Sequence, residues 1–267
     1  MDTSNAERPL ARSVVARQRF SRIFSLGDRK KPLSWTPGLV RMTQDPEIPT
    51  NMCIFQFERD NSKIPALLSL SSLHDICLPF GDLEIWNAQE GLILPPSLVD
   101  SDSGSKSSGN QFLPISWQSM HHDSTLLDDE LEPSVIALID APQLAERPGM
   151  LIDAIHALKS RFPTSLIWTP GIGGPDNCAL LSWIGVDLFD LSRSHEASAR
   201  GILLTEEGPR NIEETVAEDC GINSQINAWK RAIAATRTAI RQGTLRELVE
   251  RQALSSPRSV ERLRRHD

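Results

Sequence analysis

One stretch, residues 135–192, constrains the fold more than any other part of the chain. It reads VIALIDA, then PGMLIDAIHALKSRF with apolar residues at helical spacing, then SLIWTPGIGGPDNCALLSWIGVDLFDLS. An apolar run ends in a polar turn, an amphipathic helix follows, and the unit repeats. This β-α-β-α-β order is typical of a parallel sheet covered by helices. We therefore predict an α/β protein.

Length and hydropathy limit which class of protein this chain can belong to. The chain has 267 residues, of which 39% are hydrophobic, enough for one large domain or two small ones. Its apolar runs are far shorter than the roughly 20 residues that cross a bilayer. The N-terminus carries no apolar core of the kind that a signal peptide needs. We therefore expect a cytoplasmic protein that does not contact a membrane.

Charge is divided sharply along the chain. Lys and Arg outnumber Asp and Glu by nine to three in residues 1–41 and by ten to four in residues 229–267, so each end carries about +6 within a net charge of -7. The middle, residues 42–228, carries nine basic and 28 acidic residues, about -19. Basic ends can bind phosphates. The alternative is that they are ordinary solvated surface, as most charge runs are.

The same patterns divide the chain into three parts. Residues 1–32 form a basic N-terminal arm whose apolar positions have a loosely helical period. Residues 33–222 form the α/β domain, with short strands predicted at 52–57, 76–80 and 83–86 and a Ser/Gly-rich flexible loop at 100–110. Residues 223–267 form basic helices, predicted at 223–242, at 244–253 and from Pro257 onward.

The length of the α/β part bears on the type of sheet. A complete (β/α) barrel takes about 250 residues. Here the basic ends and the polar loops use much of the chain. We therefore predict an incomplete or eroded TIM barrel followed by a helical, basic C-terminus. Trp168 and Trp183 fall in its core by their spacing, although Trp168 could instead stack on a base.

Two features within residues 170–190 are candidates for a site. Gly171, Gly173 and Gly174 form a turn between a strand and a helix, where backbone N–H groups can face a ligand or serve only the turn. Asp190 ends the strand GVDLFD at the side where barrels hold their catalytic groups, and a carboxylate there can attack an anomeric carbon. The alternative is that Asp190 simply begins a turn.

Asp187 lies on the other face of the same strand. It is counted with the three glycines as a candidate substrate-binding residue. Its alternative is a structural acid that meets a helix end or an arginine. The chain's four cysteines have no CxxC spacing, and the phrase His121-His122-Asp123 lies in loop sequence, where an exposed polar turn is the simpler interpretation.

Residues 168–205 are similar to the tRNA-guanine transglycosylase superfamily, in particular to its archaeal branch, which includes archaeosine synthase. The similarity rests on the Pro-Gly turn, the helix phrase Ala-Leu-Leu, the strand Gly-Val-Asp-Leu-Phe-Asp, and the later phrase Ala-Arg-Gly-Ile-Leu-Leu-Thr. The C-terminal helices also resemble those that close the domain in that family. The similarity covers about half of the chain, residues 135–267.

The resemblance implies a TIM barrel that modifies tRNA. In active members, the Asp corresponding to Asp190 attacks the ribose C1′ and displaces guanine, and a second Asp from an early strand acts as the base. The early motif that carries this second Asp in active members is absent here. The segment Asp102-Ser103-Gly104 lies in low-complexity sequence. Of the family's zinc cluster only Cys220 remains, which implies no zinc and no other cofactor. His195 is expected to be a solvated loop residue.

Two functions remain open on these grounds. The first is a tRNA-guanine transglycosylase-like or archaeosine-synthase-like enzyme that handles 7-deazaguanine bases in tRNA. The second is a degenerate, non-catalytic subunit that binds tRNA or a catalytic partner, or pairs with a second copy of itself. The first function is the leading prediction, although the missing base and zinc ligands favour the second function more than a motif match alone would suggest. A barrel enzyme with an unrelated small substrate is a third possibility, which the acidic middle of the chain allows.

Overall fold

The computed structural model describes residues 12–28, 30–41, 45–56, 112–117, 120, 133–212, 219–253 and 257–266. The strands are β1 (Arg12–Gln18), β2 (Ser21–Asp28), β3 (Lys31–Trp35), β4 (Gly38–Arg41), β5 (Cys53–Gln56), β6 (Phe112–Ile115), β7 (Val135–Leu138), β8 (Leu166–Trp168), β9 (Leu188–Phe189), β10 (Ile202–Thr205) and β11 (Gly208–Asn211). The helices are α1 (Ala141–Glu146), α2 (Met150–Arg161), α3 (Cys178–Ile184), α4 (Ser192–Ala199), α5 (Ile222–Gln242), α6 (Leu245–Ala253) and α7 (Pro257–His266).

Most of the predicted elements are present. The alternation from β7 to β9, the strand at β5 and the three C-terminal helices are confirmed. Gly243 ends α5 in the left-handed conformation (φ 74°), which is why the helical run breaks there. The strands predicted at 76–80 and 83–86, the loop at 100–110 and the His121-His122-Asp123 phrase lie outside the described residues.

Six strands form one parallel sheet in the order β5-β4-β9-β8-β7-β6. Strands that pair in this sheet are consecutive in the chain, with one exception. The last strand, β9, pairs with the first, β4, through the register Gly38↔Leu188 and Leu39↔Phe189. Because all pairs are parallel, the carboxyl ends of these strands share one edge of the sheet. Helices α2 and α3 connect the strands and bury their apolar faces in the core. Trp168 and Trp183 are buried in it, as predicted.

The described part of the N-terminal arm, residues 12–28 and 30–32, is not helical, so the expectation of a helix there is wrong. Strands β1, β2 and β3 form a separate antiparallel sheet. Strand β2 packs against α3 and α5, and all of its side chains from Ser21 to Leu26 are buried. A strand buried on both faces shows no alternation of polar and apolar residues, so its apolar positions imitated a helical period.

The antiparallel sheet lies at the amino-terminal edge of the parallel sheet. Arg12 donates from Nε to the carbonyl of Thr164 (2.7 Å), directly before β8, and Arg22 donates to the carbonyls of Pro163 and Ser165. On the other side, Arg237 of α5 donates from Nε to the carbonyl of Pro37 (3.1 Å), directly before β4. The N-terminal strands and helix α5 therefore both contact the amino-terminal edge of the parallel sheet. None of the described helices is long and apolar enough to cross a membrane.

Two histidines connect the last helix to the core. His156 Nε2 and His266 Nδ1 lie 3.0 Å apart, at hydrogen-bond distance. Phe20 stacks on His156 with ring centroids 4.3 Å apart, and the Trp183 ring meets His266 edge-on. Burial lowers the pKa of His156; Arg19 and Lys159 add to this effect, and Asp153 opposes it. This cluster therefore favours a neutral imidazole on α2.

Acidification should weaken this cluster. Because the folded state lowers the pKa of His156 below its usual 6.5, the unfolded chain takes up its proton first, and stability falls as the pH drops below about 6.5. We expect the urea midpoint to fall between pH 7 and pH 5, and to fall less in His156→Phe, which keeps a ring against Phe20. An equal fall in both proteins would contradict this prediction.

Candidate functional site

The carboxyl edge of the parallel sheet carries the candidate nucleophile. Asp190 directly follows β9, whereas Asp187 directly precedes it, so the two carboxylates lie at opposite ends of the strand. They are three positions apart in extended chain, which is a distance of about 10 Å. The structure therefore does not bring the two aspartates into one pocket.

Asp190 is buried, with only 1% of its surface exposed. Its Oδ2 accepts hydrogen bonds from the indole Nε1 of Trp168 and from the backbone N–H of Gly171, both at 3.0 Å. Its Oδ1 accepts from the backbone N–H of Ser192 at 2.9 Å. Burial raises the pKa of Asp190, although these bonds work in the other direction. The carboxylate joins β8, the glycine turn and the start of α4.

This geometry limits what Asp190 can do. A carboxylate has about four acceptor positions, and the described donors occupy at least three of them. A nucleophile must present an oxygen to its substrate, and the described donors leave at most about one acceptor position of this carboxylate open. The arrangement matches the alternative in which Asp190 organises a turn.

The glycine turn is used largely by its own segment. Gly171 has φ 77°, a conformation that favours glycine, and a side chain at Gly173 would collide with the ring of Phe189. The N–H of Gly174 donates to Asn177 Oδ1 at 2.7 Å. With the N–H of Gly171 bound to Asp190, two of the three predicted ligand-facing amides already have protein partners.

Asp187 lies in a buried ion-pair cluster. Its Oδ2 lies 3.2 Å from both Arg22 Nη2 and Lys159 Nζ and accepts from the N–H of Ile167 at 3.0 Å. Burial alone would raise the pKa of Asp187, but the two cations lower it below the usual value. The contact with Arg22 matches the structural alternative stated for this residue, and the carboxylate points away from the edge that carries Asp190.

Lys159 contributes little to the stability of this cluster. Burial lowers its pKa to about 8, so its charge is costly there, while Asp187 keeps two bonds from Arg22. Lys159→Met should therefore change the free energy of unfolding at pH 7 by less than about 1 kcal/mol. As the pH rises from about 8 to 10.5, the wild type should gain stability relative to the variant, because the unfolded lysine binds its proton more tightly. Urea unfolding at pH 7 and pH 10 measures both effects, and a loss above 3 kcal/mol at pH 7 would contradict the prediction.

Two further aspartates at the carboxyl edge escaped the sequence analysis. Asp140 follows β7 and accepts from the N–H of Trp117 at 3.1 and 3.0 Å. Asp45 follows β4, is buried, and lies 2.6 Å from Nε2 of His195. A polar residue directly after a buried run signals Asp140, but nothing local signals a pair 150 positions apart.

The structure of His195 differs from the solvated loop residue that the sequence predicts. It lies within α4 rather than in a loop, and its ring is held by Asp45. Cys220 donates weakly from Sγ to the carbonyl of Ser198 (3.9 Å). Within the described ranges, no three His, Cys, Asp or Glu side chains are grouped so that they could hold a metal ion.

Comparison with known proteins gives a consistent but partial similarity. No protein-family model matches the chain. It is 29% identical over 140 residues to an archaeosine synthase of Methanocaldococcus jannaschii, covering 52% of this chain and 24% of that protein. It is 26% identical over 142 residues to an archaeosine synthase subunit alpha of Methanosarcina acetivorans (44% and 23%) and 26% over 143 residues to an archaeosine synthase of Haloferax volcanii (47% and 24%).

These matches show a distant relationship to the archaeosine synthases. The matched part spans only about a quarter of each relative's length. The similarity is therefore to one part of each of these proteins.

Proposed function

We propose that this chain is a non-catalytic, transglycosylase-like component of a tRNA-modifying enzyme of the archaeosine-synthase type. Its work is to bind tRNA, or a catalytic partner subunit, in a step that handles 7-deazaguanine bases. The distant archaeosine synthases support the tRNA-modifying role, and one of these relatives is itself named as a subunit. A second copy of the chain is the alternative partner.

We also propose that the parallel sheet belongs to a (β/α) barrel. In a barrel the last strand returns to the first, and strands otherwise neighbour in chain order. Strand β9 pairs with β4 in this way, and the remaining described pairs follow the chain. The barrel would place Asp190 at the end that holds the active site in catalytic relatives of this architecture.

The observation that carries the non-catalytic assignment is the state of Asp190. Its two oxygens accept from Trp168, Gly171 and Ser192, and its surface is 1% exposed. A substrate ribose could reach this carboxylate only if Trp168 and the glycine turn moved. We infer that the position has kept the family's residue as a structural support for the turn.

A transglycosylase that uses Asp190 as its nucleophile is the second candidate. Its support is the position of this carboxylate directly after β9, at the carboxyl edge of a parallel sheet. In that case the hydrogen-bond donors around Asp190 would orient it for attack, and Asp45 with His195 lies at the same edge.

Base exchange separates the two candidates. Wild type, Asp190→Asn and Asp176→Asn as a control are incubated with archaeal tRNA and labelled guanine or 7-cyano-7-deazaguanine. The proposal expects no incorporation by the wild type, together with measurable tRNA binding or co-purification of a catalytic subunit. Incorporation by the wild type that is lost in Asp190→Asn and kept in Asp176→Asn would overturn it.

A further inference from the structure

The two basic ends of the sequence meet in the folded chain. The side chain of Gln18, at the end of β1, donates to the carbonyl of Gly243 (2.7 Å) and accepts from the N–H of Leu245 (3.0 Å). Arg17 and Arg19 flank this glutamine in sequence. Arg241 and Arg246 flank the α5–α6 junction that it binds. All four arginines are exposed, and we call them the basic face.

Ion pairing differs among the arginines of the basic face. Among the described residues, no carboxylate forms an ion pair with Arg17 or Arg241, and Arg246 pairs with Glu250 of its own helix at 3.2 Å, with both side chains half exposed. Arg17 donates from Nε to the carbonyl of Arg19 at 2.9 Å, which holds its guanidinium at the turn. The contacts of Gln18 hold the segments that carry these arginines against each other.

The buried cluster behind this face adds to its positive field. Arg22 and Lys159 share the single carboxylate of Asp187, so the cluster carries one uncompensated positive charge when Lys159 is protonated. Arg17 lies close enough to contribute to the lowered pKa of Lys159. Low-dielectric surroundings screen such a charge less than water does.

We propose that the basic face binds the phosphate backbone of a folded RNA. Guanidinium groups bind phosphate oxygens through paired hydrogen bonds, and several of them on one surface attract a polyanion. The face lies with the antiparallel sheet at the amino-terminal edge of the parallel sheet, away from the edge that carries Asp190. The chain thus binds RNA at the amino-terminal edge of the sheet and leaves the carboxyl edge for a partner. This inference rests on the proposed function, which supplies tRNA as the RNA.

The test compares two variants that lose the same charge. The face variant carries Arg17→Gln, Arg241→Gln and Arg246→Gln. Arg19 is left in place because its guanidinium lies 5.5 Å from the Trp183 ring centre and supports packing. The control variant carries Arg200→Gln, Arg210→Gln and Arg231→Gln, three exposed arginines that pair with Glu196, Glu207 and Glu206.

The control residues lie away from the face. Gln225, near the start of α5, donates to the carbonyl of Ile202 and so marks the end of α5 that meets the β10–β11 hairpin, which carries Arg210. Gly243 follows the last residue of α5. At 1.5 Å per residue, Gln225 and Gly243 are about 27 Å apart along this helix, and Arg231 is about 15 Å from Arg241.

Binding of a transcribed tRNA is measured by fluorescence anisotropy between about 50 and 200 mM salt. Wild type should bind, the face variant should bind at least about 10-fold more weakly, and its salt dependence should lose about one phosphate contact per arginine removed. The control should stay within about 2-fold of the wild type, and all three should show the same melting temperature.

Three other results would be decisive against parts of this inference. Equal weakening of both variants would mean that only net charge matters and would overturn the face. Unchanged binding by the face variant would place the RNA elsewhere and overturn the face while leaving the proposed function. No tRNA binding by the wild type at low salt would overturn the tRNA-binding function as well, and protein capture by the same face would then identify a protein partner instead.

Discussion

Replacing Asp190 with alanine is expected to lower the free energy of unfolding by about 3–5 kcal/mol. The carboxylate accepts from Trp168 Nε1 and from the N–H groups of Gly171 and Ser192. Its removal leaves the buried indole N–H of Trp168 and the two part-buried N–H groups without these acceptors, and an unsatisfied donor costs about 1–3 kcal/mol when it is fully buried. Asp190→Asn should cost less, since the amide oxygen still serves one side of the site. Urea denaturation at pH 7 measures both variants.

Asp176→Ala is the matched control for this prediction. Asp176 belongs to the glycine turn that Asp190 binds, but it is partly exposed and pairs with Arg193 at 2.6 Å. Because solvent can replace that partner, the control should cost less than about 1 kcal/mol. If Asp190→Ala is as stable as the control, the carboxylate does not support the turn, and the nucleophile interpretation regains its standing.

Replacing Asp187 with asparagine is expected to be comparably severe, at about 3–5 kcal/mol. Two buried cations, Arg22 and Lys159, would then lack their counter-charge. The pKa of Asp187 is lowered in the folded state, so its contribution is complete above the ordinary value near 3.8 and is lost as the pH falls through the lowered pKa. Unfolding curves of wild type and variant should therefore approach each other in strong acid.

A second substitution checks the origin of this effect. In Asp187→Asn with Lys159→Met, one of the two uncompensated charges is gone, so part of the lost stability should return. Arg22 still donates to the carbonyls of Pro163 and Ser165 and can keep its place. A double variant no more stable than Asp187→Asn would show that the charge of Lys159 does not cause the loss.

The predictions from sequence succeeded where the pattern was local. Strands β7 and β8 are apolar runs bounded by turns, and α5 shows a helical period that ends at Gly243. The N-terminal arm failed because β2 is buried on both faces by α3 and α5, a condition set by distant residues. The apolar strand pattern placed Asp190 at a strand end, where the structure has it, but neither this pattern nor the similarity to transglycosylases could report the donors that surround it.

The sequence by itself determined the order of strands and helices from β7 to β9, the parallel pairing of these strands, the C-terminal helices and the basic ends, because periodicity and turn residues act over a few positions. Tertiary structure alone decided which polar groups meet. It placed Arg22 against Asp187 across 165 positions and Asp45 against His195 across 150. It also surrounded Asp190 with donors. Such contacts depend on how elements pack, and the energy of a buried charge depends on every group around it.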